Sequence, residues 1–472
     1  MRSPLALAID VGSSAVRAAA VEPEGEIVAS ARVQRLDAHS GLSFDPELLW
    51  QQLKTACLSL DPLVRSRVAS LAIAAHIGTV FVDVEGHSIG PGRGWADTDG
   101  VAALRTALGA GEAELLRASG RPAVTGGAAA AALWLRTERP EEFRRVVRIV
   151  SPKDYLVSRL TGIVSVDHTT AAYTGVSRIR ARDWDDDLLT ATRLDADMFP
   201  LQVASTDVVE SLSTRVAAAI GLPTGTAVVS GGPDGTVGAM FVSGERFDVI
   251  VDVAGTTDVL VRRVGSPEAA PVGAMVNPFP LGGFSAGGAT GMTGGALARW
   301  AELLGYADSS AAAADLGAGE ALLPGADGLR IRPTYSGSRF PRWCPEDSGM
   351  LWGQRTHHGP KELVQAAVEG AAFVVREGVD LLDPKGQVPI ALAGGAARSR
   401  LLAQLRADVL NRQIMLCSEP DVSVLGAALL AFRGVAADVG GTFDVANHPS
   451  EIVSPDPERS AAYAEVFNDW QQ

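Results

Sequence analysis

Short apolar runs alternate along the chain with amphipathic stretches, and this alternation predicts an α/β architecture. Leu5 to Val33 reads as three short antiparallel strands with turns at Gly12–Ser14 and Pro23–Gly25. A helix starts after them: Asp45 suits the N-cap, Pro46 suits the first helical position, and Leu48, Leu49, Leu53 and Ala56 make an apolar stripe. Val68 to Ala75 and Thr79 to Val84 read as strands, Ala128 to Leu135 and Lys153 to Leu160 as helices. Ala227 to Ser230 reads as a buried strand, followed by Gly231-Gly232-Pro233-Asp234-Gly235 and a helix from Thr236. The polar break Ser243-Gly244-Glu245 predicts a boundary near residue 245, giving domains 1–245 and 246–472. In the second half, Lys361 to Leu382 and Ser399 to Leu410 read as helices and Pro389 to Ala393 as a strand. No low-complexity linker separates the halves, so the two domains are expected to be closely apposed.

One device occurs twice. LALAIDVGSSAVRAAAV (Leu5 to Val21) and DVIVDVAGTTDVLVRRV (Asp248 to Val264) each run from an apolar strand through an Asp and a Gly-Ser/Thr turn into a second strand. The copies align with a one-residue offset at the Gly, so the repeat is weak. Such a bend lines up N–H and hydroxyl donors that suit phosphate oxygens, and two copies suit a polyphosphate.

Composition narrows the partners. The 472 residues have room for two or three cores, and a net charge of −14 argues against a nucleic-acid or anionic-membrane surface. Cys57, Cys344 and Cys417 are scattered, with no metal spacing, which fits a reducing, cytoplasmic compartment. Asp10 interrupts the first apolar run, so no signal peptide is expected, and no apolar run reaches membrane-spanning length.

With these segments in order, the chain resembles the FGGY carbohydrate kinases. The motifs are AIDVGSSAVR, FDPELLWQQL, WADTD, SGGPDG, DVAGTTD, RPTYSGSRFPRW followed by GMLWG and VQAAVEGAAF, and LAGGAARSRLLAQLRADVLNRQI. The resemblance implies two actin/hexokinase-like (ribonuclease H-like) ATPase domains around a central cleft, with ATP and Mg²⁺ as cofactors. It implies Asp234 as the base that takes the sugar hydroxyl proton; a helix cap is the alternative. It implies Asp10 as the residue orienting Mg²⁺, Gly12, Ser13 and Ser14 as phosphate donors, and Arg17 as a basic phosphate contact. A solvent-facing strand position is the alternative for Arg17. In the second half it implies Gly255, Thr256 and Thr257 at the phosphates. Gly394, Gly395, Ala396 and Ser399 would lie at the adenosine, with Gly295 and Arg299 lining the nucleotide cleft.

The sugar-binding segments depart from the family pattern. Trp95 and Asp97 match its polyol loop, but the Arg expected two places later is Asp99. After Val68–Ala74 the chain reads Ala75-His76-Ile77, which lacks both the Arg-Glu pair of glycerol kinases and the Gln and Met-His of xylulose kinases. His76 reads either as a sugar contact or as a satisfied core histidine. The expectation is an ATP-dependent kinase of a small sugar or polyol, a pentulose first, with no nucleic-acid or membrane partner; a homodimer is compatible with it. The alternative is a non-catalytic sugar or nucleotide sensor.

Overall fold

Parallel strands covered on both faces need near-continuous apolar sequence, and LALAIDV and VASLAIAA supply it. A computed structural model describes residues 3–35, 41–109, 119–122, 127–291, 293–317, 323–334, 337–436 and 450–472. The chain divides into two units. Unit 1 holds the described residues of Met1–Glu245, Met275–Phe284 and Asp421–Asp444, and unit 2 those of Arg246–Ala274, Ser285–Pro420 and Val445–Gln472. The cut expected near residue 245 therefore leaves out two segments that return to unit 1. The second of these carries the helix Val422–Gly434, which is apolar on nearly every face and packs on the strands Leu5–Val11, Ala15–Val21, Val68–Ala75 and Ala227–Pro233 and on the helix Asp234–Ser243.

In unit 1 the strands are β1 (Leu5–Val11), β2 (Ala15–Val21), β3 (Ile27–Gln34), β4 (Val68–Ala75), β5 (Val208–Ser211) and β6 (Ala227–Pro233), in sheet order β5-β6-β4-β1-β2-β3. β1, β4 and β6 run parallel, with Asp10 opposite Ala74 and Gly232 opposite Ala74 on its other side. The core beneath is built from Leu5, Leu7, Ile9, Leu49, Leu53, Leu71 and Ile73, among others. Asp45 caps the helix Pro46–Leu58 as expected, accepting from the N–H groups of Glu47 and Leu48.

β6 carries a bulge. Ser230 and Gly231 together face the single residue Ile73 of β4. Gly231 has φ +76°, and a Cβ there would stand 2.1 Å from the carbonyl oxygen of Ile73. The displaced N–H groups are satisfied elsewhere: Ser230 donates to Asp207 O at 2.9 Å and Gly231 to Ser205 O at 3.0 Å. The helix after the bulge starts at Asp234, two residues earlier than the sequence suggests. Asp234 thus sits in the first turn, where the helix dipole favours a carboxylate.

In unit 2 the strands are β7 (Ile250–Ala254), β8 (Asp258–Val264), β9 (Phe284–Ala289), β10 (Ile390–Gly394), β11 (Ile414–Leu416) and β12 (Glu451–Val453), in order β9-β8-β7-β10-β11-β12. β7 pairs antiparallel with β8 and parallel with β10. Helices Pro360–Leu382 and Arg400–Leu410 follow the predicted periodicity, and a further helix spans Thr293–Leu303. Tyr335 and Ser336 of the RPTYSGSRFPRW stretch lie outside the described residues. Among those described, no helix is long and apolar enough to cross a membrane.

The contact between helices Asp234–Ser243 and Val422–Gly434 depends on Gly426, where a Cβ would lie 2.4 Å from the backbone oxygen of Val237. Gly426→Ala gains about 1 kcal/mol of helix propensity but meets a fixed carbonyl, an overpacking cost of about 1–3 kcal/mol. The expected outcome is a lower melting temperature by thermal denaturation; an increase would show that the two helices part freely.

Candidate active site

Ligands of open α/β sheets bind beyond the carboxyl ends of the parallel strands. In unit 1 those ends carry Asp10 (β1), His76 (one residue past β4) and Asp234 (one residue past β6). The first turn links β1 to β2: Gly12 N–H donates to Ala15 O at 3.0 Å, and Ser13 and Ser14 are exposed at the bend. Arg35 braces it from behind, donating to Gly12 O at 3.0 Å. Asp10 and Arg17 are cross-strand partners, and Arg17 also pairs with Asp421.

Burial is the main influence on the two acids. It pushes the Asp10 carboxyl up to about 7, with Asp234 and Asp421 adding to the rise and Arg17 opposing it. Burial pushes Asp234 up to about 6, offset by hydrogen bonding from backbone N–H groups, of which Gly235 N lies 2.7 Å from its carboxylate. Three carboxylates and one guanidinium converge here, and such oxygen donors suit Mg²⁺, which needs only one or two of them.

The remaining unit 1 candidates lie on the loops around a small sheet of Ser43–Phe44, Gly78–Val82, Gly92–Gly94 and Arg148–Val150. The indole of Trp95 lies against Gly41, where a Cβ would come within 2.8 Å of the ring. Asp97 is buried; one oxygen accepts from Asp99 N–H at 3.0 Å and the other pairs with Arg93. Arg93 also pairs with Asp99 and stacks on Trp134 at 4.1 Å. His76 is buried, its ring edge-on to Phe44 at 5.1 Å, with Nδ1 3.0 Å from Ile77 O. That bond places the proton of a neutral ring on Nδ1 and leaves Nε2 as an acceptor.

In unit 2 the second turn is held from two sides. Thr256 O accepts from Gly295 N–H at 2.8 Å, and Thr257 Oγ1 accepts from Gly291 N–H at 2.8 Å. A Cβ on Gly294 would overlap Gly255 O at 1.9 Å, so the start of helix Thr293–Leu303 presses directly on the turn. Below it, Arg406 is buried between Asp252 and Asp258. Burial raises the Asp252 carboxyl well above its ordinary range; Arg406 opposes the rise and Asp258 adds to it. Gly394 (φ +82°) ends β10, where a Cβ would lie 2.4 Å from Ala254 O; Gly395 N–H donates to that oxygen at 2.7 Å. A Cβ at Gly395 would meet it only at ordinary contact, 3.5 Å, so Gly394 is the position that requires glycine. Ala396 opens the short turn after β10, and Ser399 caps helix Arg400–Leu410 through Leu402 N–H. Arg299 is half exposed and paired to Glu302 at 2.8 Å on its own helix.

Reading the sequence missed three residues here. The partners of Asp421 and Arg406 lie far away in the chain, and Arg93 meets Asp97 and Asp99 only within the folded loop. A carboxylate–imidazole group, Asp327 with His357 and His358, lies in unit 2. His358 Nδ1 accepts Arg355 N–H at 3.0 Å, so the neutral ring carries its proton on Nε2, which faces Asp327 O at 3.2 Å. That nitrogen offers no lone pair to a metal.

Two sequence profiles match the chain: the N-terminal domain of the FGGY family of carbohydrate kinases over residues 5–241, and its C-terminal domain over residues 251–435. The chain belongs to the FGGY family of carbohydrate kinases. This FGGY protein is an ATP-dependent sugar kinase with the two-domain α/β fold of that family. It is 30% identical to a xylulose kinase of Escherichia coli (strain K12), over 90% of this chain and 89% of that protein. It is 23% identical to a gluconokinase of Bacillus subtilis (strain 168), over 93% of this chain and 90% of that protein. A crystal structure of a ligand-bound xylulose kinase from Lactobacillus acidophilus shares its fold, with a TM-score of 0.86, 22% identity, and coverage of 99% of this chain and 97% of the other.

The raised acids carry a stability cost in the FGGY kinase. A carboxyl whose folded pKa lies above its unfolded value keeps its full stability at low pH and loses it as pH rises through the folded value. For Asp10 the loss falls between about pH 4 and 7. Asp10→Asn is therefore expected to be more stable than the wild type at pH 8 without nucleotide or metal, by about 1–3 kcal/mol, with the gain vanishing towards pH 4. Denaturant unfolding across that range checks it; a gain independent of pH would place the effect elsewhere.

Proposed function

We propose that this kinase phosphorylates a terminal hydroxyl of a ketose, a pentulose such as xylulose first, with Asp234 as general base. The observation that carries the reading is the position of Asp234: just past the β6 bulge, at the same strand ends as Asp10 and His76. The 30% identity to a xylulose kinase over nearly the whole chain supports the substrate class. The gluconokinase likeness and the absent Met-His element leave xylulose as one member of that class.

Phosphoryl transfer needs positioning and charge stabilisation more than covalent help. In the proposed roles, Gly12, Ser13, Ser14 and Arg17 meet phosphate oxygens from unit 1, and Gly255, Thr256 and Thr257 from unit 2. Gly394, Gly395, Ala396 and Ser399 lie at the adenosine, with Gly295 behind the second turn; the paired, exposed Arg299 is the weakest member. Asp10 would hold Mg²⁺, which would supply charge neutralisation of the phosphates. Asp234 accepts the proton of the attacking hydroxyl. A base with a pKa near 6 is ionised at neutral pH yet basic enough to share that proton in the transition state. Trp95 packs on carbon–hydrogen faces of the sugar, while Asp97 and His76 Nε2 accept from its hydroxyls.

Asp234→Asn should lower kcat by roughly a hundredfold or more at pH 8 and leave the ATP KM within about twofold, on the general-base scale. In the wild type, kcat/KM should climb with pH through about 6 as the base ionises. Near-full turnover of Asp234→Asn with the best sugar would remove the assignment.

Asp97→Ala should raise the sugar KM by roughly tenfold, the scale of one lost hydrogen bond to a charged acceptor, with the ATP KM little changed. A panel of C3 to C7 polyols and ketoses, read as ADP release, decides the substrate, with glycerol expected to be poor. Unchanged sugar kinetics in Asp97→Ala, or robust glycerol turnover, would contradict this account of the pocket.

A further inference from the structure

Unit 1 contains a cavity of about 390 Å³ lined by none of the candidate active-site residues. Its polar wall is cationic and hydroxyl-bearing: Arg182, Arg433, His168, Ser205 and Thr206 line it, with Pro278, Phe279 and Pro280 as an apolar floor. Among the described residues no carboxylate lines it, in a chain whose net charge is −14. Neither Arg182 nor Arg433 is ion-paired among the described residues. Arg182 is part-buried, its guanidinium 6.0 Å from the Phe284 ring, and its charge reaches His168, where it opposes protonation.

The walls are built rather than draped. The 204–207 turn is closed by Asp207 N–H to Ala204 O at 3.0 Å and by Ala204 N–H to the Asp207 carboxylate at 2.8 Å. That second bond turns the acid towards the backbone of its own turn. Ser205 O and Asp207 O take the N–H groups freed by the β6 bulge. The helix carrying Arg433 abuts the same turn: a Cβ on Gly434 would lie 2.8 Å from Thr206 O. His168 is held by Gln202 at 3.3 Å, and the neighbouring Thr169 donates to Pro278 O at 2.8 Å.

Two guanidinium forks without carboxylate partners among the described residues, beside hydroxyls and an apolar floor, match a phosphate group attached to a small organic body. The volume lies at the small end of ligand cavities, which run from roughly 300 to 1,000 Å³. We propose that this cavity is a second binding site, for a small phosphate-bearing anion, distinct from the site of phosphoryl transfer. The phosphate can come as the free ion or as an ester.

The test is calorimetric titration of the intact enzyme, saturated with ADP so that the nucleotide-phosphate turns are occupied, at constant ionic strength. The probes are inorganic phosphate and ribose 5-phosphate. The wild type is expected to bind with Kd on the order of 1 mM, and Arg182→Gln/Arg433→Gln to weaken binding by roughly tenfold or more, as loss of charged hydrogen bonds implies. ATP and sugar KM values in phosphate-free buffer should stay within about twofold, since neither arginine is assigned to those sites. Tighter binding of the ester would identify a sugar phosphate as the ligand; equal binding would identify the phosphate ion. Arg433→Gln alone, at an exposed position, should weaken binding by roughly threefold or more if the double variant fails to fold. Wild-type and variant titrations that coincide, or no saturable binding in the wild type, would overturn the proposal.

Discussion

The site of unit 1 depends on one surplus residue in β6. Ser230 and Gly231 share the place opposite Ile73, and this shift sets how the strand ends beside β4 and β1. Because side chains alternate along a strand, a slip of one residue reverses every face after it. The bulge therefore decides where Asp234 lies relative to Asp10. It can exist only because Gly231 accepts a positive φ and because Ser205 and Asp207 satisfy the two displaced N–H groups. Lys153, buried beside Asp154, also takes Ser230 O at 2.9 Å, so side chain and backbone together hold the strained segment.

The acids held by this arrangement work against stability. Asp10 and Asp234 are raised by burial, and the Arg17 guanidinium partly offsets the rise at Asp10. Arg17 is itself shared with Asp421, which arrives from more than four hundred residues later in the chain. A cluster of three carboxylates against one guanidinium suits a cation and a polyphosphate, and its cost is spread over the apolar packing of β1, β4, β6 and the helix Val422–Gly434. Unit 2 handles charge differently. Asp252 and Asp258 are closed over Arg406 beneath the Gly255–Thr257 turn, where removing the guanidinium would leave two buried acids unpaired.

Much of this was legible in the residues. The β1–β2 turn, the Asp45 cap, the β4 strand, the helix Pro360–Leu382 and the β10 turn each follow from local patterning and capping chemistry. Gly394 and Gly395 looked equivalent, because adjacent glycines carry no mark of which one meets a carbonyl; the approach of Ala254 O distinguishes them. Asp97 matches the polyol loop by sequence, but its pairing with Arg93, four residues earlier, depends on how that loop folds.

The order of motifs determined the family, the two-unit α/β architecture and the kinase chemistry, since each motif is a local pattern of strand, turn and helix start. Tertiary structure alone decided three things. It returned the helix Val422–Gly434 and Asp421 to unit 1, it assembled Asp10, Asp234, Arg17 and Asp421 into one electrostatic group, and it gathered Arg182 and Arg433 around a single cavity. All three rest on contacts between segments far apart in the chain. Such contacts are set by how apolar faces pack and where displaced backbone groups find partners, and local sequence does not carry that information.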